Sequence, residues 1–412
     1  MPEFLKVVPP SDALHRLLES MPSDLSLAAE PISTAEALDR VLSKPVTAPH
    51  ALPPFPRSTV DGFAVRAADT FGASAALPAY LKLVGEILMG RQAEVDVGAG
   101  QTAQVPTGGM IPGGADAVVM IEDTQRAQPD EIEVLKPASV GQNVLQVGED
   151  VKAGDIVVER GTRLRPQEIG GLIALGIVKV DVFRRPSVGI LSTGDEIVSP
   201  ETEPGPGQVR DVNSYTLASL VARAGGIPVR RGITPDRFEA LLAAATLAHK
   251  QDDMLIITAG SSVSARDVTA EVLQRLGSPG VLVHGVSIKP GKPTILAIAD
   301  GKPVVGLPGN PVSALIVAGL FVTPLVRRLA GVSGPQLTPT LRARLSTNIA
   351  SIAGREDYVP VRLVVTPEGL QAEPVYGRSN LIFTLVRADG VVVIPPATTG
   401  LAVNAEVEVR LV

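Results

Sequence analysis

The sequence predicts a multidomain α/β plus β protein: a helical domain holding a β-rich insert, then a three-layer αβα domain, then a small C-terminal β-barrel or sandwich. Three observations carry this. Strand-like and helix-like runs alternate through the centre of the chain, from about 187 to 329. Short apolar runs separated by Gly and Pro turns fill 51–148 and the stretch beyond 335. Helical spacing marks the N-terminal residues and returns after 151. Alternation predicts a parallel sheet covered by helices, and short runs between turn residues predict all-β units. With 412 residues, 45% of them hydrophobic, the chain can bury several cores. The boundaries read from these shifts are 1–50 with 149–185 for the helical domain, 51–148 for the insert, 186–332 for the αβα domain and 335–412 for the barrel or sandwich.

Taken in order, Leu14, Leu17, Leu18 and Met21 share one face of a predicted helix over 11–21. Ser33-Thr34-Ala35-Glu36 has the form of a capping box before Ala37, Leu38 and Val41, predicting a second helix. In the insert, 83–87, 117–121 and 131–135 read as strands. Pro166 sits where a first-turn proline belongs, ahead of a helix over 167–175. The alternating region gives strands at 187–192, 228–233 and 254–258 and helices at 214–224, 237–249 and 268–276. A further strand enters Gly306-Leu307-Pro308-Gly309-Asn310-Pro311-Val312-Ser313 and leads directly into a helix. The most apolar run, 312–326, contains Pro324 and falls short of the ~20 residues that span a bilayer, so it reads as a buried helix. Strands at 341–345, 357–365 and 391–394 build a closing barrel or sandwich.

Composition narrows the chemistry. A formal charge of −6 argues against a general nucleic-acid or anionic-membrane surface, which would need excess Lys and Arg. With no cysteine, disulfides, thiolate nucleophiles and thiolate-bound zinc are excluded. His15, His50, His249 and His284 lie far apart, without metal-ligand spacing, and read as structural. The N-terminus lacks the pattern of a secretory signal, so a cytoplasmic location is expected.

In doubly wound sheets ligands bind beyond the carboxyl ends of the strands, which is where the distinctive loops fall. Gly260, Ser261 and Ser262 could approach phosphate oxygens with N–H and hydroxyl groups, though a plain turn explains them about as well. Lys289 and Lys292, pinned by Pro290 and Pro293, read as an anion site. Asp195, Glu196 and Asp267 sit at strand ends, with Asp61 and Asp150 elsewhere. Carboxylates facing an anionic ligand would repel it unless a divalent cation bridged them, so magnesium is the expected companion. Asp195 and Glu196 could equally form a solvated turn. Pro308, Asn310 and Pro311 form the rigid turn before a helix N-terminus. No nucleophile with an adjacent base emerges, so triad chemistry has little support.

Together these motifs resemble the molybdopterin molybdenumtransferase family, whose relatives include the gephyrin E domain. The likeness runs the length of the chain: Pro53-Pro54-Phe55 to Phe63, Thr107 through Val119, Gly148-Glu149-Asp150, Ser192 to Glu196, Ile288 to Pro293, and the 306–313 turn. The resemblance implies a homodimer whose subunits have a helical connecting domain, a β-rich insert, an αβα domain that binds molybdopterin and a C-terminal β-barrel. It implies a transferase that inserts molybdenum from molybdate into adenylylated molybdopterin and releases AMP, assisted by magnesium. By position, Gly260, Ser261, Ser262, Ser264 and Asp267 would hold the pyrophosphate and metal, Lys289 and Lys292 would bind anionic oxygens, and Arg355 and Ser379 would lie near molybdate. Asp61, Thr107 and Asp150 would complete the site from the other subunit, and Glu196 matches an acidic position linked to activity. A molybdopterin adenylyltransferase and apo-molybdoenzymes are the implied partners, with no nucleic acid or membrane. The sequence departs from the common pattern at Ser261, where glycine is usual, at Arg57, where asparagine is frequent, and in the tail Arg378-Ser379-Asn380-Leu381. Two other readings are an adenylyltransferase of the preceding step, which would lack the insert and barrel, and a scaffold that binds pterin without turnover.

Overall fold

The structure, a computed structural model, describes residues 7–22, 27–259, 263–334 and 338–411, with the side chains of 263–266 outside the description. The chain forms two compact units. One comprises Met1–Ser43, Arg160–Pro166 and Lys179–Val412, and the other Lys44–Glu159 and Gln167–Val178.

The second unit is β-rich, as its turn-punctuated sequence predicts. Its six-stranded sheet runs Ala117–Met120, Gly62–Val65, Gln101–Val105, Ala79–Glu86, Glu131–Val134 and Thr124–Gln128 in spatial order. Val65, Leu81, Val119 and Val134 fill one core, while Ala64, Ala103, Val105 and Val118 fill another. Successive strand residues thus serve opposite faces, as the pleat dictates. Gly62 sits in the middle of this sheet because a Cβ there would meet the Val119 carbonyl oxygen.

In the first unit, the αβ sheet comprises β1 (Ser187–Thr193), β2 (Ile227–Thr234), β3 (Met254–Thr258), β4 (Pro279–His284), β5 (Ile295–Ala299) and β6 (Lys302–Leu307), in the order 2-1-3-6-5-4. The 2-1, 1-3 and 3-6 neighbours are parallel. The 6-5 and 5-4 neighbours are antiparallel, so the sheet is mixed rather than wholly parallel. The β5–β6 hairpin turns at Asp300 and Gly301, whose φ values of 48° and 82° match the left-handed pair a tight two-residue hairpin requires.

Helices cover both faces, giving three layers. Val188, Ile190 and Ile256 pack with Leu17, Leu217, Val317 and Leu325 on one side. Leu191, Leu255 and Ile257 pack with Leu241, Ala245 and Val272 on the other. The first helix, α1 (Pro10–Glu19), buries Ala13 and Leu17 in the former core. The expected second opening helix is absent. Thr34–Glu36 makes only a 3₁₀ turn, and Ser33 forms no side-chain cap. Asp39 takes φ 62°, which ends any helix, and Val41 and Leu42 instead bridge Arg163 and Val182 in strand fashion. The run after the 306–313 turn also divides, into Pro311–Leu320 and Val322–Leu329, bent by 41°. Pro324 has no N–H for the Leu320 carbonyl and its ring crowds that carbonyl, which places the break where it occurs. Among the described residues no single helix is long and apolar enough to cross a membrane, and this bent pair is packed into the αβ core.

The C-terminal strands form a closed barrel. Glu356–Thr366 pairs Gly369–Pro374, which pairs Thr340–Leu345, then Glu406–Leu411, then Gly390–Ile394, which returns to Glu356–Thr366. Leu345, Val361, Ala372, Val392 and Val409 fill it. A short strand from the αβ part, Ile288–Lys289, adds in parallel to Glu356 and Asp357 and ties the basic turn to the barrel.

Candidate functional site

A cleft of about 900 Å³ opens where the αβ loops meet the barrel. Lys289, Lys292, Pro308, Asn310, Arg355 and Ser379 all line it, so residues separated by up to ninety positions in sequence meet around one cleft. The strand pairing explains the basic side: register sets Lys289 opposite Asp357, and Arg355 lies two residues before Asp357, in the bend that enters the strand Glu356–Thr366. Asp357 is buried at 3% exposure, and its carboxylate accepts from Arg355 Nε at 2.7 Å and Nη2 at 3.3 Å. Lys289 Nζ lies 3.9 Å from the same carboxylate and stays largely exposed. Lys292 and Arg378 add two exposed cations to the cleft. Four cations lining one cleft against one buried carboxylate suit this place to a polyanion.

The Lys-Pro-Gly-Lys turn is held from beneath. Gly291 adopts φ 109° with its Cα against the buried Val317, where no side chain could fit. Thr294 donates its hydroxyl to the Gly291 carbonyl at 2.6 Å. Across the cleft, Asn310 precedes the helix Pro311–Leu320 and donates Nδ2 to Ser379 Oγ at 2.9 Å, while the Val312 N–H donates to the Ser379 carbonyl at 3.0 Å. Pro311, at the first helical position, needs no N–H partner there. Tyr358 and Tyr376 add aromatic surface to the wall. Burial and the neighbouring Glu356 carboxylate push the Tyr358 phenol up, so it stays protonated and donates to Glu356 at 2.6 Å.

The carboxyl ends of β1 and β3 carry a second polar group. Ser192 Oγ donates to Asp211 Oδ2 at 2.9 Å, and Thr258 Oγ1 lies 3.3 Å from Ser192 Oγ. Asp211 also accepts from the Ser214 N–H at 3.0 Å, starting the helix Asn213–Arg223. Asn213 Nδ2 donates to the Gly309 carbonyl at 2.8 Å, so this group is joined to the 306–313 turn and through Asn310 to the cleft. Asp195 is exposed, its carboxylate accepting from the Asp236 N–H at 3.3 Å, and Glu196 is half-buried beside it. Asp267 is exposed on the helix Val263–Arg275. Gly260, Ser261 and Ser262 lie outside the described residues, as does the side chain of Ser264.

Asp61, Thr107 and Asp150 belong to the β-rich unit. The Thr107 N–H donates to Asp61 Oδ1 at 2.8 Å, and the Asp150 N–H donates to the Leu52 carbonyl at 3.1 Å. Sequence reasoning missed Asp211, Asn213 and Asp357. Asp211 and Ser214 carry a helix-start spacing that could have been noticed, whereas nothing local distinguishes Asp357 from an ordinary strand carboxylate. Among the described residues no three carboxylate or imidazole groups converge on a point suited to a metal ion.

Three family models match in order: the MoeA N-terminal region (domain I and II) over 8–176, the probable molybdopterin binding domain over 189–328, and the MoeA C-terminal region (domain IV) over 342–412. The chain belongs to the MoeA family of molybdopterin molybdenumtransferases. It is 35% identical over 389 residues to a putative molybdopterin biosynthesis protein of Methanocaldococcus jannaschii, covering 92% of this chain and 91% of that one. It is 31% identical to a molybdopterin molybdenumtransferase of Bacillus subtilis, covering 92% and 89%. A molybdopterin biosynthesis MoeA protein of Pyrococcus horikoshii shares the fold at a TM-score of 0.85 and 32% identity, covering 99% of this chain and all of that one. The multidomain fold with its closed barrel is thus that of the family, as the sequence motifs implied.

Proposed function

We propose that this protein transfers molybdenum from molybdate to adenylylated molybdopterin, cleaving the phosphoanhydride and releasing AMP. The observation that carries the reading is a cleft lined by Lys289, Lys292, Arg355 and Arg378, two of which, Lys289 and Arg355, meet one buried carboxylate, in a MoeA-family chain. Both substrates are anionic, and bringing them together without solvent reorganisation calls for fixed cations and N–H donors. In this reading Lys289, Lys292 and Arg355 bind phosphate and molybdate oxygens. Asn310 and Ser379, already bonded to each other, orient the oxyanion, and Pro308 and Pro311 keep their turn rigid. The 260–262 loop, Ser264 and Asp267 take the pyrophosphate.

Magnesium fits as an ion shared with substrate rather than one caged by protein. It commonly keeps several waters and takes only one or two carboxylates together with substrate phosphates. Asp195, Glu196 and Asp267 are the residues that would hold it, and when bound it offsets phosphate charge. Asp61, Thr107 and Asp150 are proposed to serve the site of a partner subunit in a homodimer. The four-domain division, a cytoplasmic location, and exchange with a molybdopterin adenylyltransferase and apo-molybdoenzymes complete the reading.

The test is AMP release from adenylylated molybdopterin with magnesium and molybdate, followed by reconstitution of a cofactor-free molybdoenzyme. Molybdate-dependent AMP release with restored activity supports the transferase. Pterin binding without AMP release favours the scaffold reading. Pyrophosphate release from ATP and free molybdopterin favours the adenylyltransferase.

A further inference from the structure

We infer that Asp357 is the positioning residue of the cleft, the group that holds Arg355 and Lys289 in the arrangement that receives the anionic substrate. The inference rests on the proposed function for the substrate's identity, but its geometry stands apart from it. Among the described residues Asp357 is the acidic residue lining the cleft, its side chain is 4% exposed, strand pairing sets Lys289 opposite it, and Arg355 reaches its carboxylate from the preceding bend.

The two cations are held differently. Arg355 meets the carboxylate through Nε at 2.7 Å and Nη2 at 3.3 Å, a forked contact that fixes the guanidinium plane. A guanidinium has five N–H donors, so about three remain for a ligand. Lys289, at 3.9 Å, is beyond hydrogen-bond length, so its ammonium is tethered by charge while its three donors stay free. The carboxylate also offsets the repulsion between two neighbouring cations in a half-buried place.

A buried acid in an anion site has two consequences of opposite sign, and these separate positioning from simple neutralisation. If Asp357 only lowers the positive potential, Asp357→Asn raises it and tightens anion binding. If Asp357 positions the cations, the same change frees them and weakens binding despite the added charge. Loss of one charge-assisted contact corresponds to about tenfold in affinity.

The experiment measures binding of inorganic pyrophosphate to the full chain by calorimetry, alongside KM and kcat for adenylylated molybdopterin. Asp357→Asn is expected to weaken pyrophosphate by about tenfold and to raise KM more than it lowers kcat. Combined with Lys289→Ala and Arg355→Ala, it should add little, because the groups it positions are gone. Unchanged or tighter pyrophosphate binding in Asp357→Asn overturns the inference, as does full additivity. Where Asp357→Asn fails to fold, Arg355→Lys serves: it keeps the charge, loses the fork and should weaken pyrophosphate similarly, and an unchanged affinity overturns the inference. Because pyrophosphate binding needs no turnover, wild-type protein that binds it without releasing AMP would count against the proposed function and leave this result standing.

Discussion

Replacing Gly291 by alanine tests whether the basic turn must be rigid. Gly291 has φ 109°, and an added Cβ would lie 2.3 Å from Val317 Cγ2 and 3.1 Å from Ile288 Cδ1. Val317 is fully buried on the helix Pro311–Leu320, and a β-branched side chain there has no alternative rotamer into which to retreat. Left-handed backbone costs an L-residue roughly 1–2 kcal/mol, and overpacking a filled core roughly 1–3 kcal/mol. If the turn stays in place, the loss is therefore about 2–5 kcal/mol, read as a lower urea midpoint with unchanged m-value. If the turn moves instead, part of that loss disappears and Lys289 and Lys292 are displaced, which weakens pyrophosphate binding. Either outcome fits a turn fixed from beneath. A stability change below about 1 kcal/mol together with unaltered pyrophosphate affinity would refute the reasoning.

Lys289→Ala and Asp267→Ala should each abolish AMP release while leaving the thermal unfolding midpoint near wild type, since both side chains are largely exposed; an active or unfolded variant counts against the assigned roles. At the opposite end of the αβ sheet, Asp252 is buried and accepts from Arg231 Nε at 2.8 Å, Arg231 Nη2 at 2.7 Å and Ser187 Oγ at 2.7 Å. Asp252→Ala leaves Arg231 without its carboxylate and should cost about 3 kcal/mol, the low end for a broken buried pair because Arg231 is partly exposed, as measured by urea unfolding. Next to it, burial raises the Asp253 carboxyl but the forked Arg184 contact and the Ser187 N–H outweigh burial, leaving it below the usual carboxylate range. A lowered folded-state value gives stability that is full above the unfolded value of about 4 and lost as pH falls through the folded one. Asp253→Asn should accordingly flatten the acid side of the stability profile below about pH 4, and an unchanged acid limb would show the contact to be inert.

Local sequence was a sound guide wherever one element's own period or turn chemistry decides the outcome. The strands and helices from 187 to 276 are recovered within two or three residues at most ends, except that the last helix begins at Val263, because buried β1 and β3 and their covering helices carry uninterrupted apolar patterns. The capping-box signature at Ser33 misled, since the strand pairing of the residues around it gives Val41 and Leu42 their burial without a helix. The single helix expected over 312–326 divided because proline acts on a carbonyl four residues earlier, a constraint that hydropathy does not register.

Of the candidate site, the sequence by itself determined the inventory: two lysines in a Pro-pinned turn, a rigid Gly/Pro turn ahead of a helix, acids at strand ends, and the order of motifs that marks the family. Tertiary structure alone decided which of these meet. Ring closure of the barrel and the parallel pairing of Ile288–Lys289 with its first strand bring Arg355, Asp357 and Ser379 to the basic turn. Such pairings join residues far apart in the chain, and their partners are chosen by the register of whole strands rather than by neighbouring residues. Asp357 shows the limit most clearly: in sequence it is one carboxylate among 43 acidic residues, and only the strand laid beside it makes it the anchor of the cleft.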